Sequence, residues 1–149
     1  MALCISFICS CHEKMVIYEQ YQMIESEWNK EKEFYFTYQI QDLESLYDLS
    51  IEVRNNNWYP YQNLWLFCAE EQPVGPISRD TIECMLADDY GKWKGKGITI
   101  FHLSIPIRTN YKFEHKGQYT FNIRHGMRDD DLKGIEEIGL RLKKQKMDD

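Results

Sequence analysis

The chain has 149 residues and a formal net charge of −6, from 18 basic and 24 acidic side chains. That length suits one domain with a core large enough to fold without disulfide or metal staples. The acidic balance argues against a nucleic-acid partner, whose backbone needs clustered cations. Beyond Cys11 no apolar run nears the roughly 18 residues of a bilayer span, the longest being Leu64 to Ala69.

The chain opens with an apolar stretch ending Ile8-Cys9-Ser10-Cys11. An apolar residue, two small ones and a cysteine resemble the lipobox of a bacterial lipoprotein, in which Cys11 would be acylated. A full secretory signal runs about 15 to 30 residues with a basic front end. Here ten residues precede Cys11 and none is Lys or Arg, so the segment reads as a truncated signal, with a buried N-terminal strand as its alternative. Removal of the signal and acylation would leave Cys68 and Cys84, which an oxidising compartment could bridge. Their apolar strand-like surroundings favour buried free thiols instead.

Met15 to Ile24 is the best helix candidate but a weak one, because Tyr18, Tyr21, Met23 and Ile24 suit a first extended segment as well, and the aromatic content favours that extended reading. A weaker helix candidate lies near Ser45. From Phe34 onward period-two alternation dominates: Phe34, Phe36, Tyr38 and Ile40 share one parity, with Tyr35, Thr37 and Gln39 on the other, as in a strand with one buried face. The pattern recurs at Leu49, Ile51 and Val53, at Leu64 to Cys68, and at Ile82, Cys84 and Leu86. It returns at Ile98 to Ile107, at Tyr119, Phe121 and Ile123, and at Ile138, Leu140 and Leu142. Turn-formers separate these runs: Asn55 to Asn57, Gln72 to Pro76, the glycines at 91, 95 and 97, Lys116-Gly117 and His125-Gly126.

Seven to eight short strands without a long helix between them predict an all-β fold, an antiparallel β-sandwich of jelly-roll or immunoglobulin-like type. The expected organisation is a signal segment over 1–10, an anchor and linker over 11–25, the β-sandwich over 26–144 and a solvated tail over 145–149.

Catalytic motifs fail on inspection. Gly91 to Gly97 has glycines and lysines, but Lys96 is followed by Gly where a phosphate loop needs a magnesium-binding hydroxyl, so no nucleotide is expected and Trp93 should fold against the sandwich. Asp129, Asp130 and Asp131 suggest a calcium loop, yet Lys133 and Leu140 fall at ligand positions, which favours a solvated turn. His12, His102, His115 and His125 lack zinc-type spacing, and Ser78 and Ser104 lack a nucleophile elbow. No metal, cofactor or catalytic residue is expected.

Asn55 to Trp65 interleaves amides with aromatics. Trp58, Tyr59 and Tyr61 could stack on sugar rings, or Tyr59 and Tyr61 could wrap an end of the sandwich with their hydroxyls on backbone.

The stretches Tyr47 to Asn56, Tyr59-Pro60-Tyr61 and Asn63 to Phe67 resemble the GldH family of gliding-motility lipoproteins from Bacteroidota. So do Asp80 to Glu83, Leu86-Ala87-Asp88, Gly91, Trp93, Gly95 and Gly97, and the closing run Gly117 to Phe121, Gly126-Met127-Arg128, Gly134-Ile135 and Gly139 to Arg141. The resemblance covers about residues 11 to 142. It implies a lipid on Cys11, an envelope protein held to the membrane, most naturally the outer membrane, and a non-catalytic role in gliding or the linked type IX secretion machinery. The partners it implies are the membrane and envelope proteins of that machinery; a glycan-binding lipoprotein is the alternative. Trp58, Tyr59, Tyr61, Met127 and Arg128 are the expected partner-binding residues, because exposed aromatics and arginine dominate interface energetics.

Overall fold

The computed structural model describes residues 13–145. Those residues form ten strands and no helix: β1 (Lys14–Met23), β2 (Trp28–Asn29), β3 (Phe34–Ile40), β4 (Tyr47–Asn56), β5 (Asn63–Glu71), β6 (Ser78–Met85), β7 (Ile100–Tyr111), β8 (Gly117–His125), β9 (Asp131–Leu132) and β10 (Ile135–Gln145). All pairings are antiparallel, in a first sheet ordered β1-β10-β4-β7, a second ordered β3-β8-β5-β6, and a two-stranded β2-β9 ribbon. The expected all-β sandwich is the architecture found.

The core follows from parity. Along β3, Phe34, Phe36, Tyr38 and Ile40 are buried while Tyr35, Thr37 and Gln39 are exposed. They join Leu49, Ile51 and Val53 of β4, Leu64, Leu66 and Cys68 of β5, and Leu140 and Leu142 of β10 in one cluster between the sheets. Each such side chain contributes about 1.5 to 3 kcal/mol on leaving water, which is why register is strongly specified here: a one-residue slip would turn the whole apolar set outward.

Two expectations are corrected, the linker over 11–25 and the weaker helix near Ser45. Of the two readings of Met15 to Ile24 the extended one is found: nearly all of it is β1, an edge strand paired with β10 from Lys14 opposite Gln145 to Met23 opposite Glu137. Its half-exposed pattern reflects that edge position, and the sandwich therefore includes residues 14–23, where a linker was expected. The stretch around Ser45 is a loop, in which Asp42 accepts the Glu44 amide at 2.8 Å and the Ser45 hydroxyl at 2.6 Å. The signal segment, Cys11 and residues 146–149 lie outside the described residues.

The direction of β4 orders the molecule from end to end. Lys14, Tyr47 and Lys144 sit at one end, whereas Asn56 and the loop that follows lie at the other, nine residues or roughly 30 Å away at the usual strand rise. The connection from β4 to β5, with Trp58, Tyr59 and Tyr61, is therefore at the end opposite the start of β1.

Candidate functional site: an aromatic groove on the second sheet

The loop after β4 has a buried part and a free part. Tyr59 is 3% exposed and its hydroxyl donates to the Asn63 carbonyl at 2.6 Å, so it is a core residue that pins the loop. Burial pushes its phenol well above the ordinary range. Tyr59 is accordingly removed from the expected binding residues: the reading in which it wraps the end of the sandwich is the one found. Gly134 lets the chain pass close, for at φ +84 a Cβ there would lie 2.2 Å from the Tyr59 amide nitrogen. Asn57 accepts from Trp93 Nε1 at 2.9 Å, and Trp93 packs against the core as expected. Trp58 is 82% exposed, and its backbone amide donates to Asn56 Oδ1 at 2.8 Å.

Three expected residues converge. Tyr61, Met127 and Arg128 line one groove of about 530 Å³ together with Trp65, Phe67 and Asn63. Backbone pairing explains the convergence. At the end of β8 the Gly126 amide donates to the Trp65 carbonyl at 2.7 Å, and the Trp65 amide points at Met127 Sδ at 3.3 Å, so the turn after β8 lies along the start of β5. Gly126 brings the turn close under Phe67: a Cβ there would meet the ring at 2.9 Å and displace it. The Tyr61 hydroxyl bonds Asp129, which raises its pKa above the ordinary value and holds the ring against the same turn. Trp58 does not line the groove.

Trp65 and Phe67 were missing from the expected site. They alternate along β5 with buried Leu64, Leu66 and Cys68, so both rings stand on the outer face. The continuous apolar run from Leu64 to Ala69 hid that parity; the signal that could have found them is that both aromatics share the odd positions.

A second polar constellation lies on the outer face of the first sheet. Glu52 is 0% exposed and accepts from the Ser50 and Ser104 hydroxyls at 2.6 and 2.8 Å and from His102 Nε2 at 2.7 Å. Arg141 stands 3.5 Å away and also pairs with Glu19 at 2.7 Å. Ser104 donates to the carboxylate and His102 faces the same carboxylate, so the imidazole does not act as base on the hydroxyl. Among the described residues no group of three or more His, Cys, Asp or Glu could hold a metal ion.

The family model described as GldH lipoprotein matches residues 16–142. The chain belongs to the GldH lipoprotein family. It is 34% identical to the gliding motility lipoprotein GldH homolog of Christiangramia forsetii, over 91% of this chain and 87% of that protein. It is 31% identical to the gliding motility lipoprotein GldH of Flavobacterium johnsoniae, over 91% of this chain and 89% of that protein. Both the groove and the Glu52 cluster therefore lie within the part of the chain that is GldH-like.

Proposed function

We propose that this chain is a lipid-anchored envelope protein of the gliding-motility apparatus or its associated type IX secretion machinery, held to the outer membrane through Cys11. In this reading it binds a partner protein without turning over a substrate. The observation that carries the binding role is the convergence of Tyr61, Trp65, Phe67, Met127 and Arg128 on one groove at the end of the sandwich opposite the start of β1. Large aromatics, Met and Arg are enriched where interfaces are strongest. An anchor shortly before β1 would turn that end away from the bilayer, toward other envelope proteins. Confinement to a surface raises effective concentration, so a small contact area suffices.

The anchor and the groove are tested separately. Labelled palmitate fed to the native host should enter the wild type and not Cys11→Ser; equal labelling removes the anchor. Tagged wild type and Trp65→Ala, recovered from native membranes, should differ in co-purifying envelope proteins while melting alike. Identical recovery removes the groove as the partner contact.

A further inference from the structure

Past Phe67 and Thr81 the outer face of the second sheet opens into a wider trough of about 860 Å³. Its cross-section follows from register. Tyr35 on β3 stands opposite Asn122 on β8, Asn122 opposite Ala69 on β5, and Ala69 opposite Arg79 on β6. Residues of one such row share a face, so small Ala69 forms a floor between tall Tyr35 and Arg79, three strand spacings or roughly 14 Å apart. The next row, Arg124, Phe67 and Thr81, closes the trough toward the aromatic groove, with the Arg124 guanidinium 5.1 Å from the Phe67 ring centroid.

The polar groups of the trough are fixed in place. The Tyr35 hydroxyl and the Asn122 amide both donate to the Glu33 carboxylate, and Asp80 Oδ1 accepts the Thr81 amide at 2.8 Å. Tyr35 is 55% exposed, so its ring is presented to solvent while its hydroxyl is tied down. Arg54, Arg108 and Arg141 are spent on internal ion pairs. Arg79 and Arg124 make none among the described residues, which leaves their N–H groups open to a ligand.

Charge chooses among ligands. Two guanidiniums, Arg79 and Arg124, line the trough beside three carboxylates, Glu33, Glu71 and Asp80. An acidic segment would meet the carboxylates and a basic one the guanidiniums, while an apolar segment would strip water from all five charges. A sugar hydroxyl both donates and accepts, as a serine hydroxyl does, so each guanidinium and each carboxylate serves it. The C–H face of a sugar ring also suits the exposed Tyr35 and Phe67 rings.

We propose that the trough between Tyr35 and Arg79 binds an uncharged, hydroxyl-rich saccharide chain. The site adjoins the protein contact at the Tyr61 end and shares Phe67 with it, but its saccharide binding does not depend on that contact. Full-length chain in detergent is titrated calorimetrically with maltohexaose, cellohexaose, mannohexaose and chitohexaose. At least one binds with a Kd below about 1 mM, and Tyr35→Ala and Arg124→Ala each weaken it about tenfold or more. Trp65→Ala leaves that affinity unchanged. High salt changes the affinity little, because the ligand is neutral. Unaltered thermal melts of the two variants show that loss of binding is local. The proposal is overturned if no probe binds at about 5 mM, if both variants bind as wild type, or if the trough instead takes an acidic peptide whose affinity collapses with salt.

Discussion

Arg108 on β7 grips both carboxylate oxygens of Glu70 on β5, at 2.9 and 2.5 Å, and so ties the first sheet to the second. Glu70 is 3% exposed and also accepts the Tyr38 hydroxyl at 2.5 Å. The pair follows from parity: Glu70 occupies an inward position of β5 after Leu64, Leu66 and Cys68, where an unpaired charge is costly. Removing one partner strands the other charge away from water. Arg108→Ala or Glu70→Gln is therefore expected to cost about 3 to 5 kcal/mol, while replacing both by apolar residues of similar volume should cost far less. Urea denaturation of the singles and the double measures this; additive losses would show that the ion pair is not one unit.

The loop after β4 gives a second prediction, because neighbours in sequence differ entirely in environment. Tyr59→Ala should cost about 3 to 5 kcal/mol through the cavity it leaves. Tyr59→Phe should cost about 1 kcal/mol through the lost bond to the Asn63 carbonyl. Trp58→Ala, at an exposed site, should stay within about 0.5 kcal/mol of wild type. Thermal melts compare the three, and a large loss for Trp58→Ala would contradict the exposure of that ring.

How much of this could be read from the sequence depended on whether a feature was local. The alternation of Phe34, Phe36, Tyr38 and Ile40 states a strand and its buried face at once, and every other strand with a clean apolar parity was found too. β2 and β9 contain two residues each, too few to show a period; Trp28 reveals itself as core only once Leu132 is opposite it. β1 is an edge strand whose pattern fits helix and strand about equally. The trough was beyond reach because its row of Tyr35, Asn122, Ala69 and Arg79 joins four strands, and their register is set by packing, which no single strand encodes. Met127 and Arg128 stood out in the sequence, whereas Trp65 and Phe67, which line the same groove, were lost in a run that looked uniformly apolar.

Thiol chemistry supplies a third test. Cys84 stands opposite Leu64 and Cys68 opposite Asp80, four rungs or roughly 13 Å apart along β5, beyond the reach of a disulfide. Both thiols are free and buried, and burial pushes each up to about 12. In a chain with Cys4, Cys9 and Cys11 replaced by Ser, a thiol reagent at neutral pH should label neither cysteine while the protein is folded. It should label both in denaturant without reductant. Rapid labelling of the native state would show that these strands open far more readily than their packing implies.

His125 gives the last prediction and connects stability to the groove. Its ring is 2% exposed, sits edge-on to Trp28 at 5.4 Å, and accepts the Met127 amide on Nδ1 at 3.3 Å. Burial lowers its pKa below the ordinary 6.5, outweighing the upward pull of the Trp28 backbone, Asp129 and Asp131. The sign follows from proton counting. Above pH 6.5 the imidazole is neutral in both states, so it adds no pH dependence. Between that value and the lower folded pKa the unfolded chain binds a proton that the native chain does not, so stability falls as pH falls through that window. Below the folded pKa the loss stays constant. Urea midpoints measured from about pH 8 to about pH 5 should therefore drop more steeply for wild type than for His125→Gln. A protonated Nδ1 can no longer accept the Met127 amide, so acid should also loosen the turn that holds Met127 and Arg128 against Trp65. Partner recovery from membranes should weaken as pH falls through the lower folded pKa in wild type and hold in His125→Gln. Parallel pH profiles for the two proteins would show that His125 does not control this turn.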